Sequence, residues 1–177
     1  PPLFANGQIV TDFLSKADVF NTFFSQQCTN IVTTSTIPTN PSFISDKRFS
    51  KIEFDVNNIV NIIRNLNPEK AHGHDGISIR MILLCSESIA KPLSHLFKNC
   101  FDASTFPAEW KKGNIIPVFK KGDKNIVSNY RPISLLPIFS KIFERIIFNA
   151  VFNYMDCNRF FNPNQSGFRP GDSCIHQ

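Results

Sequence analysis

The chain has 177 residues, of which 42% are hydrophobic, and a formal net charge of +5 at pH 7. This length fits one domain, or one domain with an extension, and no apolar run of about 18 residues predicts a membrane span. The sequence also lacks the basic and then apolar start of a signal peptide, so we expect an intracellular protein of the nucleus or cytoplasm. Because it begins with Pro-Pro and ends inside what looks like a starting helix, we expect both ends to lie within a longer polypeptide.

The positive charge is concentrated in the C-terminal part. Residues 1–104 contain nine Lys/Arg and nine Asp/Glu, whereas residues 105–177 contain ten and five. This asymmetry favours a nucleic acid or nucleotide partner, and solubilising surface charge is the alternative.

The N-terminal part predicts a helix followed by a linker. Residues 11–27 place apolar side chains on one helical face, which we expect to pack on a core. The members of this stripe are Phe13, Ala17, Phe20 and Phe24. Residues 32–50 are rich in Thr, Ser, Pro and Asn and bury too little apolar surface to fold. We therefore assign residues 1–50 to an N-terminal helix plus a flexible linker.

Three helices are expected next. The clearest covers residues 55–67, with Asp55 as its N-cap. A second is predicted over residues 77–85 and a third over residues 88–102, with Pro92 in the first turn of the third, where proline costs no intrahelical hydrogen bond.

Residues 115–136 predict a β-hairpin with a basic loop. Two short apolar runs, residues 115–119 and 133–136, are bounded by turn residues. The loop between them carries three lysines around a Gly-Asp turn, which suits a phosphate-rich partner. A long amphipathic helix is expected to begin after Pro137. Together these elements predict a helix-rich α+β fold with one small antiparallel sheet.

The cysteines are odd in number and widely spaced. This pattern indicates reduced, buried thiols, with a disulfide framework as the alternative. They are Cys28, Cys85, Cys100, Cys157 and Cys174.

Four motifs in order resemble the reverse transcriptases of non-LTR retrotransposons, the LINE-type and jockey-like elements. They are K-A-H-G-H-D-G-I at 70–77, F-P-A-E-W-K through K-K-G-D at 106–123, N-Y-R-P-I-S-L-L through S-K-I-F-E-R at 129–145, and Q-S-G-F-R-P-G at 165–171. The resemblance covers about residues 51–177 and is carried by the order of the motifs more than by any one of them.

The resemblance implies that residues 51–177 are a partial reverse transcriptase domain, the fingers and the start of the palm of a right-hand polymerase. The family's partners are an RNA template, a DNA primer and dNTP, together with the remaining palm and thumb of the same polypeptide. The alternatives are a stand-alone nucleic-acid-binding module and a non-functional remnant of such an element. No membrane partner is expected.

Nucleotide addition requires a cationic clamp on the triphosphate and carboxylates that hold two divalent metal ions. The resemblance implies that the clamp is Arg131 with Lys120 and Lys121, and that Phe168 packs near the incoming nucleotide. A hairpin salt bridge is the alternative for Arg131, and solvated surface charge is the alternative for the lysines.

Nucleic-acid contacts are expected from a second set of residues. The set is Lys111, Lys112, Lys124, Gln165, Gly167 and Arg169. For the Gly167–Arg169 turn, a tight turn with a surface arginine is the alternative.

The catalytic aspartates of the family lie beyond this sequence, so we expect no catalytic residue and no metal ligand here. The intact family enzyme is expected to need Mg²⁺. Asp156, in Tyr-Met-Asp-Cys, resembles the family's paired-aspartate motif but precedes Q-S-G-F-R, so we reject it. The histidines and Asp75 of the 72–75 loop, and Cys174 with His176, lack a second ligand pair for zinc.

Overall fold

A computed structural model describes residues 1–5, 7–29, 49, 51–162, 164–167, 169 and 171. The helices are α1 (Phe13–Thr29), α2 (Val56–Arg64), α3 (Ile79–Leu84), α4 (Ser86–Asp102) and α5 (Ile138–Cys157). The strands are β1 (Leu3–Ala5), β2 (Gln8–Val10), β3 (Asn114–Phe119) and β4 (Tyr130–Leu135), and 3₁₀ turns cover Ala108–Lys111 and Val127–Asn129. The predicted helix-rich α+β class is confirmed. The predicted linker, apart from Phe49, lies outside the described residues, as does Phe168.

Within this described part, the strands form two separate antiparallel pairs, β1 with β2 and β3 with β4. The β3–β4 hairpin agrees with the prediction. The prediction of one sheet was wrong, because the N-terminal pair was missed. Its register joins Ala5 to Gln8 and leaves two residues between the strands. The sequence between the two strands is Asn-Gly, the pair typical of a two-residue hairpin turn, and Gly7 has a φ of 75°.

The starts of α2 and α3 are set by polar residues. The Asp55 carboxylate accepts a hydrogen bond from the amide of Asn58 at 2.8 Å, which confirms the predicted N-cap. The Ser78 hydroxyl caps α3 in the same way, so α3 begins later than predicted. Helix α4 begins at Ser86, two residues earlier than predicted. Pro92 therefore lies inside the helix and not in its first turn, and the helix lacks one backbone hydrogen bond there.

The core lies between α2, α4 and α5 and is closed by aromatic rings. Ile59, Ile63 and Ile142 are fully buried. The ring of Phe97 lies 5.8 Å from that of Trp110 and 5.3 Å from that of Phe143, measured between centroids. Aromatic pairs at these distances add to the stabilisation that burial provides. The only tryptophan of the chain is thus a core residue, and it fixes the segment that leads into β3.

Helix α1 does not pack on this core. Its first turn is capped by Asp12, whose carboxylate accepts a hydrogen bond from the Ser15 amide at 2.8 Å, and this bond lowers the pKa of Asp12. The predicted core-facing stripe was wrong for Phe13, which is 90% exposed. Phe20 instead contacts Tyr130 of β4 edge-on, with 4.9 Å between ring centroids. Helix α1 therefore supports the hairpin.

Helix α5 begins after Pro137, as predicted, and only the first part of it is buried against the rest of the protein. Ile138, Ile142 and Ile146 are buried, whereas Phe148 is 54% exposed and Val151 is 38% exposed. The second half of the helix borders an open groove of about 400 Å³. We call this the α5 groove; it is lined by Glu144, Ile147, Phe148, Val151, Phe152, Met155 and Phe161.

The cysteine prediction holds in part. Cys85, Cys100 and Cys157 are free thiols, but Cys157 is exposed, and Cys85 and Cys100 are only partly buried. The prediction of buried thiols was therefore wrong for Cys157, which lies at the exposed end of α5. No helix in the described ranges combines the length and the hydropathy that crossing a bilayer requires.

Candidate nucleic-acid interface

At the end next to the basic loop, the two faces of the β3–β4 hairpin differ in what covers them. Val118 pairs with Arg131 and Ile116 pairs with Ile133, so strand alternation places these four side chains on one face. Ile116, Val118 and Ile133 are 45%, 44% and 44% exposed. We call this set the open face. On the opposite face, Tyr130 is covered by Phe20 of α1.

Arg131 is the charged residue of the open face. It lies one residue from the loop end of β4, opposite Val118, and its side chain is exposed. Across the described ranges it takes part in no ion pair, so no salt bridge across the hairpin occupies its guanidinium. A guanidinium held on a strand and free of a carboxylate can accept a phosphate as its bidentate partner.

The basic loop, residues 120–129, continues the hairpin beyond Arg131. The Lys120 amide donates to the Asn129 carbonyl at 2.9 Å and closes the loop. Gly122 has a φ of 91° and lies against the Asn129 side chain, and the Asn129 side-chain amide donates to the Asp123 carbonyl at 2.9 Å. The loop is thus internally bonded. It presents three exposed lysines, Lys120, Lys121 and Lys124.

The N-terminal segment holds this loop from its other side, a contact that the sequence analysis did not predict. The Phe4 amide donates to the Asn125 carbonyl at 2.9 Å. The Tyr130 hydroxyl donates to the Lys124 carbonyl at 2.7 Å. Leu3 of β1 and Val127 of the loop are also buried, with 2% and 8% of their surfaces exposed. Three-residue strands carry too little periodicity to reveal such a contact; the Asn-Gly pair in the sequence is the only local signal.

Lys111 and Lys112 lie at the end of the 3₁₀ turn that leads into β3. The Lys112 ammonium lies 2.6 Å from Glu109, whose other carboxylate oxygen lies 3.4 Å from His74. The hydrogen bond from Lys112, and then the one from His74, lower the pKa of Glu109. Lys112 is therefore partly neutralised, whereas Lys111 is exposed and forms no ion pair with any described residue.

The remaining predicted residues lie at the end of α5. The Gln165 side-chain amide donates to the Gly167 carbonyl at 3.1 Å. Arg169 Nη1 lies 3.2 Å from Asp156 Oδ1, within ion-pairing distance, although its N–H is not aligned for a hydrogen bond. The Arg169 guanidinium also lies 4.4 Å from the centre of the Phe161 ring. Arg169 is thus already paired, and Asp156 lies in the last turn of α5.

Sequence comparison gives relatives of one kind, although no protein-family model matches the chain. The RNA-directed DNA polymerase from mobile element jockey of Drosophila melanogaster is 36% identical over 112 residues, 63% of this chain. The probable RNA-directed DNA polymerase from transposon X-element of the same fly is 33% identical over 117 residues, 66% of the chain. That from transposon BS is 31% identical over 123 residues, 69% of the chain.

The matched stretch is therefore homologous to part of a retrotransposon reverse transcriptase. More particularly, the relatives are polymerases of jockey and other non-LTR elements, which confirms the resemblance drawn from the four motifs. The chain spans only 12–14% of the length of these proteins.

Reverse transcriptases in general need a divalent metal ion. Among the described side chains, no group of three or more His, Cys, Asp or Glu residues could hold one. No chemical step through a metal is therefore assigned to the described residues.

Proposed function

We propose that residues 51–177 of this chain are the fingers and the start of the palm of an RNA-directed DNA polymerase of a non-LTR retrotransposon. In this proposal the β3–β4 hairpin contacts the incoming dNTP and the template RNA. One observation carries the proposal: Arg131 is exposed, belongs to a strand, and has no carboxylate partner in the described part of the chain.

The chemistry of the open face fits a nucleotide. Arg131 supplies two parallel N–H donors for phosphate oxygens, and Lys120 and Lys121 add point charges at the same end of the hairpin. Ile116 and Val118 of β3 are exposed, and they offer an apolar surface to a base or ribose. A bound nucleotide would cover these aliphatic side chains and the neighbouring guanidinium together. Removing the aliphatic surface from water would then favour binding.

The proposed contacts to the nucleic-acid backbone come from two other places. Lys111 and Lys124 flank the hairpin and are exposed. Lys112 contributes less, because Glu109 shares its charge. At the end of α5, Gln165, Gly167 and Arg169 are assigned to the template. Arg169 must then exchange Asp156 for a phosphate, or contact both.

The same proposal assigns binding and catalysis to different parts of the longer protein. Residues 51–177 supply binding surfaces, while residues 1–50 precede the polymerase domain. The metal-binding aspartates, and therefore Mg²⁺, belong to the palm of the longer protein. That protein is intracellular, because its template is an RNA transcript.

Salt-dependent RNA binding tests the proposal in this chain. The affinity for a fluorescent single-stranded RNA is measured by anisotropy at a series of KCl concentrations. The slope of log K against log salt is expected to be negative by about 0.7 for each phosphate contacted. Replacing Lys120 and Lys121 together with alanine is expected to weaken binding and flatten the slope.

The matched control removes the same charge elsewhere, by replacing Lys91 of α4 and Lys141 of α5 with alanine. Equal loss of affinity in the two double variants would show that only net charge matters, and would contradict a hairpin site. Binding that does not respond to salt would contradict phosphate contact altogether.

A further inference from the structure

Several parts of the N-terminal segment contact the basic loop. We call β1, β2 and α1 together the N-terminal brace. In an antiparallel pair, alternate residues point their backbone groups away from the partner strand. Phe4, opposite Ile9, uses its outward N–H to bind the Asn125 carbonyl. Strand β1 is thus joined to the basic loop by a backbone bond that leaves its pairing with β2 intact.

Apolar contacts fix the same loop. Val127, in the turn at the end of the loop, is 8% exposed and borders a shallow cavity with Phe4 of β1 and Phe23 of α1. Leu3 is 2% exposed. A loop of this kind ordinarily stays at the surface with few apolar anchors. Here the brace provides those anchors.

Tyr130 connects the brace to both cationic parts of the hairpin. Its ring lies edge-on to Phe20 of α1 at 4.9 Å, and edge-on to Phe119 at 5.6 Å. Its hydroxyl donates to the Lys124 carbonyl at 2.7 Å. Its own backbone is adjacent to Arg131. One side chain therefore contacts α1, the basic loop and β3.

The brace itself is not a cationic surface. Residues 1–29 contain one lysine, Lys16, and two aspartates, Asp12 and Asp18. Any effect of the brace on an anionic ligand must then pass through the loop that it holds. Ordering the loop in advance reduces the entropy lost when its lysines bind phosphate.

We propose that the N-terminal brace positions the basic loop for nucleic-acid contact, and that Tyr130 is the positioning residue through which α1 acts. This inference rests on the proposed function of the hairpin. Its partner is the phosphate backbone of single-stranded RNA, held by Lys120, Lys121 and Lys124.

The test compares three variants of the full chain. Tyr130→Phe removes only the hydroxyl that bonds Lys124, and Phe20→Ala removes the ring that covers Tyr130. Tyr154→Phe makes the same change as the first variant at the other tyrosine, at the end of α5. Two readouts are taken: hydrogen–deuterium exchange of the amides of residues 120–129, and affinity for the fluorescent RNA.

Loss of one hydrogen bond is expected to speed exchange in the loop by about fivefold in Tyr130→Phe. Amides of α2 should exchange at the wild-type rate, which separates loop release from general destabilisation. RNA affinity should fall about two- to fivefold, and Tyr154→Phe should change neither readout. Unchanged loop exchange in both Tyr130→Phe and Phe20→Ala overturns the inference.

Faster loop exchange with undiminished RNA affinity also overturns it, because loop order would then not matter for binding. If the wild-type chain binds no RNA, the proposed function fails instead, and the exchange data alone decide whether the brace orders the loop.

Discussion

Gly73 lies directly against the backbone of Pro137. A Cβ atom added at Gly73 would be 2.6 Å from the Pro137 nitrogen and 2.8 Å from its Cα. Pro137 lies between the end of β4 and the start of α5. The contact therefore joins the K-A-H-G-H-D-G-I loop to the base of the hairpin. The sequence motif thus has a structural reason: only glycine allows the two backbones to approach so closely.

Gly73→Ala is expected to destabilise the chain by about 1–3 kcal/mol, because the added methyl meets backbone atoms that cannot rotate away. Urea unfolding followed by tryptophan fluorescence measures the change. Gly167→Ala is the matched control, since nothing lies within 4 Å of a Cβ at that position. Equal stability of Gly73→Ala and wild type would contradict the close approach.

Arg131→Ala is expected to weaken RNA binding and flatten its salt dependence by about 0.7. Its unfolding free energy should stay within about 0.5 kcal/mol of wild type, because the side chain is exposed and supports no described ion pair. Arg80→Ala, which removes an exposed arginine paired with Glu69, is the control for charge. Lower stability with unchanged RNA affinity would assign Arg131 to the hairpin and not to the ligand.

The same substitution can be followed in a longer polymerase that contains this segment and the catalytic palm. A triphosphate clamp predicts a higher KM for dNTP or a lower kcat in Arg131→Ala. Unchanged kinetics in that protein would remove Arg131 from the nucleotide site.

Glu109 should contribute to stability at neutral pH and lose that contribution in acid. Its pKa lies below the ordinary value of 4.5, mainly because Lys112 and then His74 bond the ionised form. The folded state therefore favours the carboxylate more than the unfolded chain does. The contribution is complete above pH 4.5 and disappears as the pH falls through the lower folded pKa.

Urea unfolding at a series of pH values on both sides of 4.5 checks this expectation. Glu109→Gln should show a flatter decline of stability in acid than the wild type. Glu53→Gln removes another exposed carboxylate. Its stability should decline in acid more nearly as that of the wild type does. A Glu109→Gln curve parallel to that of the wild type would rule out the role of this carboxylate.

The α5 groove should bind an apolar dye. Its walls include Phe148 and Val151, which are exposed next to each other on the helix. Contiguous apolar surface of this kind marks an interaction site. The fluorescence of anilinonaphthalene sulfonate is expected to rise with wild type and to fall clearly with Phe148→Gln. Leu84→Gln, at a position 91% exposed and outside the groove, should leave the signal unchanged; an equal fall would show that the dye does not use the groove.

Local signals were sufficient for much of the fold. Asp55 before an apolar helix, and Pro137 before the long one, define element starts because capping and proline geometry act within a single turn. The β3–β4 hairpin was predicted from two short apolar runs and the turn residues that bound them, which are also local signals. Pro92 was misplaced because its helix begins two residues earlier than expected, and helix ends are the least determined by local sequence.

The partners of each element were harder to predict. The stripe of α1 was expected on the core, yet Phe20 packs against Tyr130, because nothing in a periodic stripe specifies which surface it meets. For the candidate site, the sequence indicated the cationic residues of the hairpin. It did not indicate that Asp156 pairs with Arg169, nor that β1 bonds the basic loop, since both contacts join distant parts of the chain.

The bond between Phe4 and Asn125 has a consequence for biosynthesis. Its two residues lie near the start of the chain and beyond α4, so the intervening helices must all leave the ribosome before it can form. Contacts of such high sequence separation form late, after the local helical contacts of α2 to α4. A nascent chain would therefore carry the formed helices α2 to α4 while its basic loop is still unordered, and the loop would acquire its bonded shape only late in folding.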